Sequence, residues 1–311
     1  MLSRILFFRD FRIYTGGHGK VWDYFCHCLG SQHYQPYVHF TTRSVRNETN
    51  PWRGCPERCV KSWSVRDFDA LFVAGLDWMQ LAGLSLRPDM PVINLIQGMR
   101  HADPQQTPYQ YLRRRAIRIC VSQPVADAIL ETGVVNGPVL VIPAGLEMPS
   151  LAAGLPRSNA ILVGALKQPN LGRVLADRLR MLGYEVCLLD TQLPKADYLA
   201  RLAQARLALL LPFAQEGLYL PGLEAMALGT PVVMPDAIGN RAYARSGENC
   251  WLTSWDVEEM LAAVRGVGDV VRLASFVEQG RRTAQAHGIV TERKAFLRIL
   301  NDLENGVLPW P

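Results

Sequence analysis

The sequence predicts an α/β protein built from two successive parallel-sheet halves. Short apolar runs alternate with helical patterns across the first half, as the crossover units of a parallel sheet do. The alternation breaks at Pro143-Ala-Gly-Leu-Glu-Met-Pro149, continues through a Pro/Gly-bearing linker over 149–158, and then resumes. At 311 residues, the chain is long enough for two substantial cores. The expected divisions are 1–148, 149–290 and a closing segment, 291–311.

In the first half, residues 5–8 read as the opening strand, 15–20 as a Gly-rich turn and 21–29 as a helix. Further strands are expected at 37–41, 70–74, 92–96, 117–121 and 139–142, with a helix at 123–131. Residues 43–64 hold Asn47, Asn50, Pro51, Gly54 and Pro56 and read as an irregular loop. In the second half, 160–164, 186–189 and 205–212 read as strands, and 171–182 and 198–204 as helices. A helix starting near Pro221 is expected to carry Glu224 in its first turn. Gly229-Thr230-Pro231 ends it, and another strand begins at Val232. The apolar spacing over 290–303 predicts a final helix.

Composition excludes several classes. Hydrophobic residues make up 49% and charged residues 20%, an ordinary globular balance. No apolar run approaches the ~20 residues a membrane helix needs. The first ten residues read as a strand rather than a signal peptide, so a cytoplasmic protein is expected. A net charge of +5 is too mild for a nucleic-acid partner. The compact basic run Arg113, Arg114, Arg115 and Arg118 reads either as a solvated helix face or as a peripheral contact with anionic headgroups or an anionic acceptor. Seven cysteines, an odd count, point to reduced thiols. Cys26-His27-Cys28, His33, Cys55 and Cys59 fit no common zinc spacing. Asp67-Phe-Asp69 precedes a strand and reads as structural. No metal and no cofactor are expected.

The densest chemistry lies in Glu216-Gly-Leu-Tyr-Leu-Pro-Gly-Leu-Glu224. Two carboxylates flank a Gly/Pro turn between a buried strand and a helix, where backbone N–H groups can face a phosphate or a sugar hydroxyl. The stretch resembles the Glu-x7-Glu signature of retaining glycosyltransferases of the GT-B fold, family 4 in particular. That resemblance implies two Rossmann-like domains facing a central cleft, with the last helix returning towards the first domain. It implies transfer of a sugar from a nucleotide-sugar donor to a glycan or lipid-linked acceptor, without metal. Glu224 would accept from ribose hydroxyls, and Glu216 would help to place the donor sugar. Gly217, Leu218 and Tyr219 would offer backbone donors, and Gly16 and Gly17 would form the N-terminal glycine loop.

By the same resemblance His101 stands for a histidine near the donor sugar, and Ser122 for a serine at a strand end. Lys167, with Arg173 as a weaker candidate, would neutralise the diphosphate; Asn240 and Arg241 are further weak candidates. The chain departs from the pattern at Ala165, where the family has Arg, near Asn170, where it has Lys, at Tyr219, and at Cys250. Two alternatives stand beside the transferase. One is a GT-B sugar-nucleotide epimerase or hydrolase; the other is a degenerate GT-B domain serving as a binding module, which Ala165 favours.

Overall fold

The computed structural model describes residues 2–147, 156–267 and 270–308, with side chains from 273 onwards in the last stretch. Most of the expected linker, 149–155, lies outside the described residues. The chain divides into two compact units, Met1–Ala144 with Glu292–Pro311, and Gly145–Thr291.

The first unit contains β1 (Arg4–Arg9), α1 (Gly16–Leu29), β2 (Gln35–Phe40), β3 (Cys59–Val60), β4 (Ala70–Ala74), β5 (Val92–Ile96), β6 (Ile117–Cys120), α2 (Gln123–Glu131) and β7 (Val139–Val141). The second contains β8 (Ile161–Gly164), α3 (Pro169–Met181), β9 (Val186–Leu189), α4 (Lys195–Gln204), β10 (Leu207–Leu210), α5 (Leu220–Ala227), β11 (Val232–Pro235), β12 (Trp251–Thr253), α6 (Val257–Gly266) and α7 (Val270–Ala286). The last helix, α8 (Ile289–Glu304), belongs mainly to the first unit. No helix among the described residues is long and apolar enough to cross a membrane.

Strands of the first unit lie in the order β3-β2-β1-β4-β5-β6-β7, all parallel. Every residue of β4 and β5 is buried. Parallel strands covered on both faces read as continuous apolar runs, which is why these two were visible in the sequence. The chain runs outward from β1 to β3, then returns to β4. Loops leaving β1 and β4 therefore diverge at the strand ends and open a crevice there.

Aromatic side chains fill the core of this unit. Phe7 stacks on Phe72 with ring centres 4.4 Å apart, and Tyr24 of α1 meets Phe296 of α8 edge-on at 4.7 Å. Within 43–64 the chain forms two tight 3-10 turns and β3. Asn50 accepts from the Trp52 amide at 3.1 Å, setting that indole among Phe11, Trp22, Phe25 and Phe40.

The second unit has the order β12-β11-β10-β8-β9, also all parallel, and reverses between β8 and β10. Gly172 brings α3 against the end of β8: a Cβ there would lie 2.1 Å from that of Ala165. Gly229 ends α5 with φ +70°, a conformation glycine adopts without steric cost.

Candidate functional site

In the second unit, the crevice between β8 and β10 collects the acidic loop. Lys167 follows β8, Glu216 follows β10, and their side chains form an ion pair. Glu216 also accepts from the Phe213 amide at 3.1 Å. The Lys167 ammonium stands 5.1 Å from the ring centre of Tyr219 and 5.5 Å from that of Phe213, within cation–π range. Tyr219 is buried in the core, so its ring forms a floor beneath Lys167 rather than an open pocket wall.

Glu224 sits in the second turn of α5, not the first, because the helix begins at Leu220. Favourable contact with the helix N-terminal dipole fades within the first turn, so it does not account for this acid. The side chain is 4% exposed and pairs with Lys195, which is 63% exposed at the start of α4. Beside it, burial and then the Glu224 charge raise the Tyr198 phenol well above its usual value.

The loop is held from behind. The Tyr243 hydroxyl donates to the Tyr219 carbonyl at 2.8 Å, and Gly239 packs directly on the backbone of Glu216 and Gly217. Asn240, expected as a ligand contact, is fully buried and donates to the Pro235 carbonyl at 3.3 Å. Arg241 pairs with Asp236 and Arg173 with Asp190, both with exposed guanidinium groups. Ala165 is buried under α3, so an arginine could not occupy that position in this packing.

The first unit has its own cluster at the β1–β4 crevice. Gly16 and Gly17 open α1, and Thr15 caps it by accepting from the His18 amide at 3.3 Å. Gln97, the residue directly after β5, donates to the Gly17 carbonyl at 3.2 Å. Ser122 is buried at the start of α2. His101 is 2% exposed in the turn after β5, and burial, then Arg100 and Arg118, hold its imidazole down at about 3. It is neutral at physiological pH.

That depression has a measurable consequence. Between about 3 and the ordinary 6.5, the unfolded chain binds the proton that folded His101 refuses. Stability from this group is therefore full above pH 6.5 and is lost as pH falls towards 3. His101→Gln should flatten the decline of the urea midpoint between pH 7 and pH 5, roughly the window in which the free imidazole titrates. An unchanged slope would contradict the assignment.

The basic run does not form one surface. Arg118 lies in β6 with no exposure, donating to the carbonyls of Tyr111 and Leu112 at 3.0 Å each. It cannot touch a membrane, which corrects that part of the expected contact; Arg113 is exposed, and Arg114 and Arg115 are half-buried. Asp67 and Asp69 accept from backbone amides of Ser64 and of Ser3 and Arg4, as the structural reading expected.

Lys195 and Gln97 join the site although no sequence motif marks them. Gln97 directly follows β5 and Lys195 opens α4 beyond the end of β9, on the side where ligands of parallel sheets gather, and that placement was the signal available. His101 stood out instead through the family resemblance and its place after β5.

Two parallel Rossmann-like sheets of this order define the GT-B fold class, and solved structures agree. HepE of Anabaena, solved with UDP-glucose, matches with a TM-score of 0.70 and 14% identity, over 96% of this chain and 99% of its own. Sucrose-phosphate synthase of Thermosynechococcus elongatus matches at 0.68 and 14%, over 98% and 100%. A glycosyltransferase of Rickettsia africae matches at 0.68 and 11%, over 97% and 98%. At such identities the likeness establishes the fold. Residues 146–268 match the family model described as Glycosyl transferases group 1, which agrees with the resemblance of that region to a glycosyltransferase. No curated protein sequence shows significant similarity to the chain.

Proposed function

We propose that the chain is a retaining glycosyltransferase that moves a sugar from a nucleotide donor to an acceptor hydroxyl in surface polysaccharide or glycolipid assembly. The observation that carries this reading is the pair Glu216 and Glu224, each with a lysine counterion, on the segment that follows switch-point strand β10. A carboxylate accepts two neighbouring O–H donors at once, which suits Glu224 to a ribose diol. Glu216 holds the donor sugar. Lys167 offsets the charge that grows on the departing diphosphate, so transfer needs no metal. The leaving phosphate takes the acceptor proton, and no protein base is required.

HepE has been solved with UDP-glucose, with UDP, and with UDP and glucose, which makes UDP-glucose the first donor to try. Incubation with UDP-glucose, alone and with a panel of methyl glycosides, followed by proton NMR of the products, tests the reaction. The expected product keeps the donor's anomeric configuration. An inverted product, or donor isomerised without acceptor, would overturn the reading.

Gly239 offers a second test. An added Cβ would lie 2.7 Å from the Glu216 carbonyl oxygen and 2.8 Å from the Gly217 carbonyl carbon, both backbone atoms that cannot swing aside. Gly239→Ala should displace the acidic loop and reduce turnover by about a hundredfold, the usual effect of an ångström's misplacement. Wild-type turnover in this variant would contradict the site.

A further inference from the structure

The β1–α1 crevice contains a chain of side chains that the proposed reaction does not use. Arg9, the last residue of β1, is buried and points one guanidinium nitrogen at Asp77 and the other at His18. Its Nη1 lies 2.7 Å from Asp77 Oδ2, and its Nη2 lies 2.8 Å from His18 Nδ1. Asp77 is itself held by the Ala74 amide at 3.0 Å. An arginine has only donors, so the nitrogen it faces must be the acceptor. The imidazole proton then sits on Nε2. Phe11 packs beside the ring at 4.8 Å between centres, fixing its plane.

We propose that Asp77 and Arg9 are positioning residues that lock His18 as the Nε2–H tautomer, so that His18 meets a substrate oxygen as a fixed hydrogen-bond donor and takes no part in proton transfer. One nitrogen is occupied and the other already carries its proton, so neither can serve as a base. Charge balance agrees with this. Burial first, then Arg9, holds the His18 imidazole down at about 4, while Asp10 acts in the opposite sense. Asp77 lies behind Arg9, and Arg100 approaches the same turn at Gly75. An imidazolium facing Arg9 would place two cations in contact. A neutral donor of fixed direction suits the oxygen of a sugar or phosphate. The substrate half of this inference rests on the proposed transfer reaction; the tautomer half does not.

The test uses the full chain labelled with 15N-histidine. The sequence has six histidines, so the His18 signal is assigned by its loss in His18→Gln. In the wild type His18 should show the neutral Nε2–H pattern at every pH between about 5 and 8, and in Arg9→Met its midpoint should rise towards the free value near 6.5. Should Arg9→Met fail to fold because Asp77 is left uncompensated, the double variant Arg9→Met with Asp77→Asn replaces it. A wild-type His18 carrying its proton on Nδ1, or titrating near the free value, would overturn the lock.

For the substrate role, consumption of UDP-glucose is compared in His18→Ala and His18→Gln. Alanine should lower the rate about tenfold, the effect of one lost hydrogen bond, and glutamine, whose amide keeps a donor nearby, should restore most of it. Equal losses in both variants, or none in either, overturn the donor role. If the wild type does not consume UDP-glucose, the proposed use of that donor and the role of His18 towards it both fail, while the tautomer result stands on its own.

Discussion

Glu292→Ala is expected to destabilise the first unit by about 3 kcal/mol, the low end for breaking a buried ion pair. Glu292 of α8 is 1% exposed and receives the Lys20 ammonium at 3.0 Å and the His27 imidazole at 2.8 Å, both from α1. These contacts, with Phe296 on Tyr24, fasten α8 to the unit. Without the carboxylate, Lys20 keeps only Asp23, at 2.6 Å and partly exposed, as a carboxylate partner among the ion pairs described. A ~165-residue unit should lose roughly 6–12 °C of melting temperature. Replacing both partners, as Lys20→Met with Glu292→Leu, should recover part of the loss because the buried ammonium and carboxylate leave together, while Asp23 loses Lys20 and His27 loses its acceptor. A single variant that melts with the wild type would show that the cluster does not hold the helix.

Glu224→Ala is expected to act on nucleotide binding. Two hydrogen bonds to a buried carboxylate are worth about 3 kcal/mol together at the ribose, so UDP affinity should fall by roughly a hundredfold. Lys195 is exposed enough to hydrate once its partner is gone, so the fold should survive. Glu216→Ala should differ in kind. Affinity for UDP should stay within about threefold while turnover drops at least tenfold, because the sugar rather than the nucleotide loses its contact. Calorimetry and steady-state rates on both variants separate these outcomes. Equal affinity in Glu224→Ala and the wild type would remove the ribose role.

The sequence made most of the sheet legible and only part of the site. The strand expected at 92–96 and the helix expected at 123–131 match β5 and α2 residue for residue, because continuous apolar runs and helical periodicity are local signals. Helix α7 was not anticipated. Its described buried stripe is Phe276, Gly280 and Ala284, with one large apolar residue among them, so its periodicity is faint. Within 43–64, β3 is two residues long, too short to show any period. The Glu216 and Glu224 loop was visible because its glycines, proline and flanking strands are contiguous. Lys195 on Glu224 and Lys20 on Glu292 were not, since each pair joins residues far apart in the chain. Arg118 misled for a related reason: a basic run looks solvated until the fold shows one member capping backbone carbonyls in the core.

Thermal shifts of the wild type and Glu224→Ala against a panel of nucleoside diphosphates and nucleotide sugars test whether the acidic loop binds a nucleotide donor. At about a hundred times Kd, a ligand specific to the folded site stabilises by roughly 2.7 kcal/mol, enough to separate bases by melting temperature. Diphosphates of one base should raise the wild-type melting temperature, and Glu224→Ala should lose the shift at the same concentration. A wild type that responds to no nucleoside diphosphate, or a variant that responds equally, would contradict nucleotide binding by the loop.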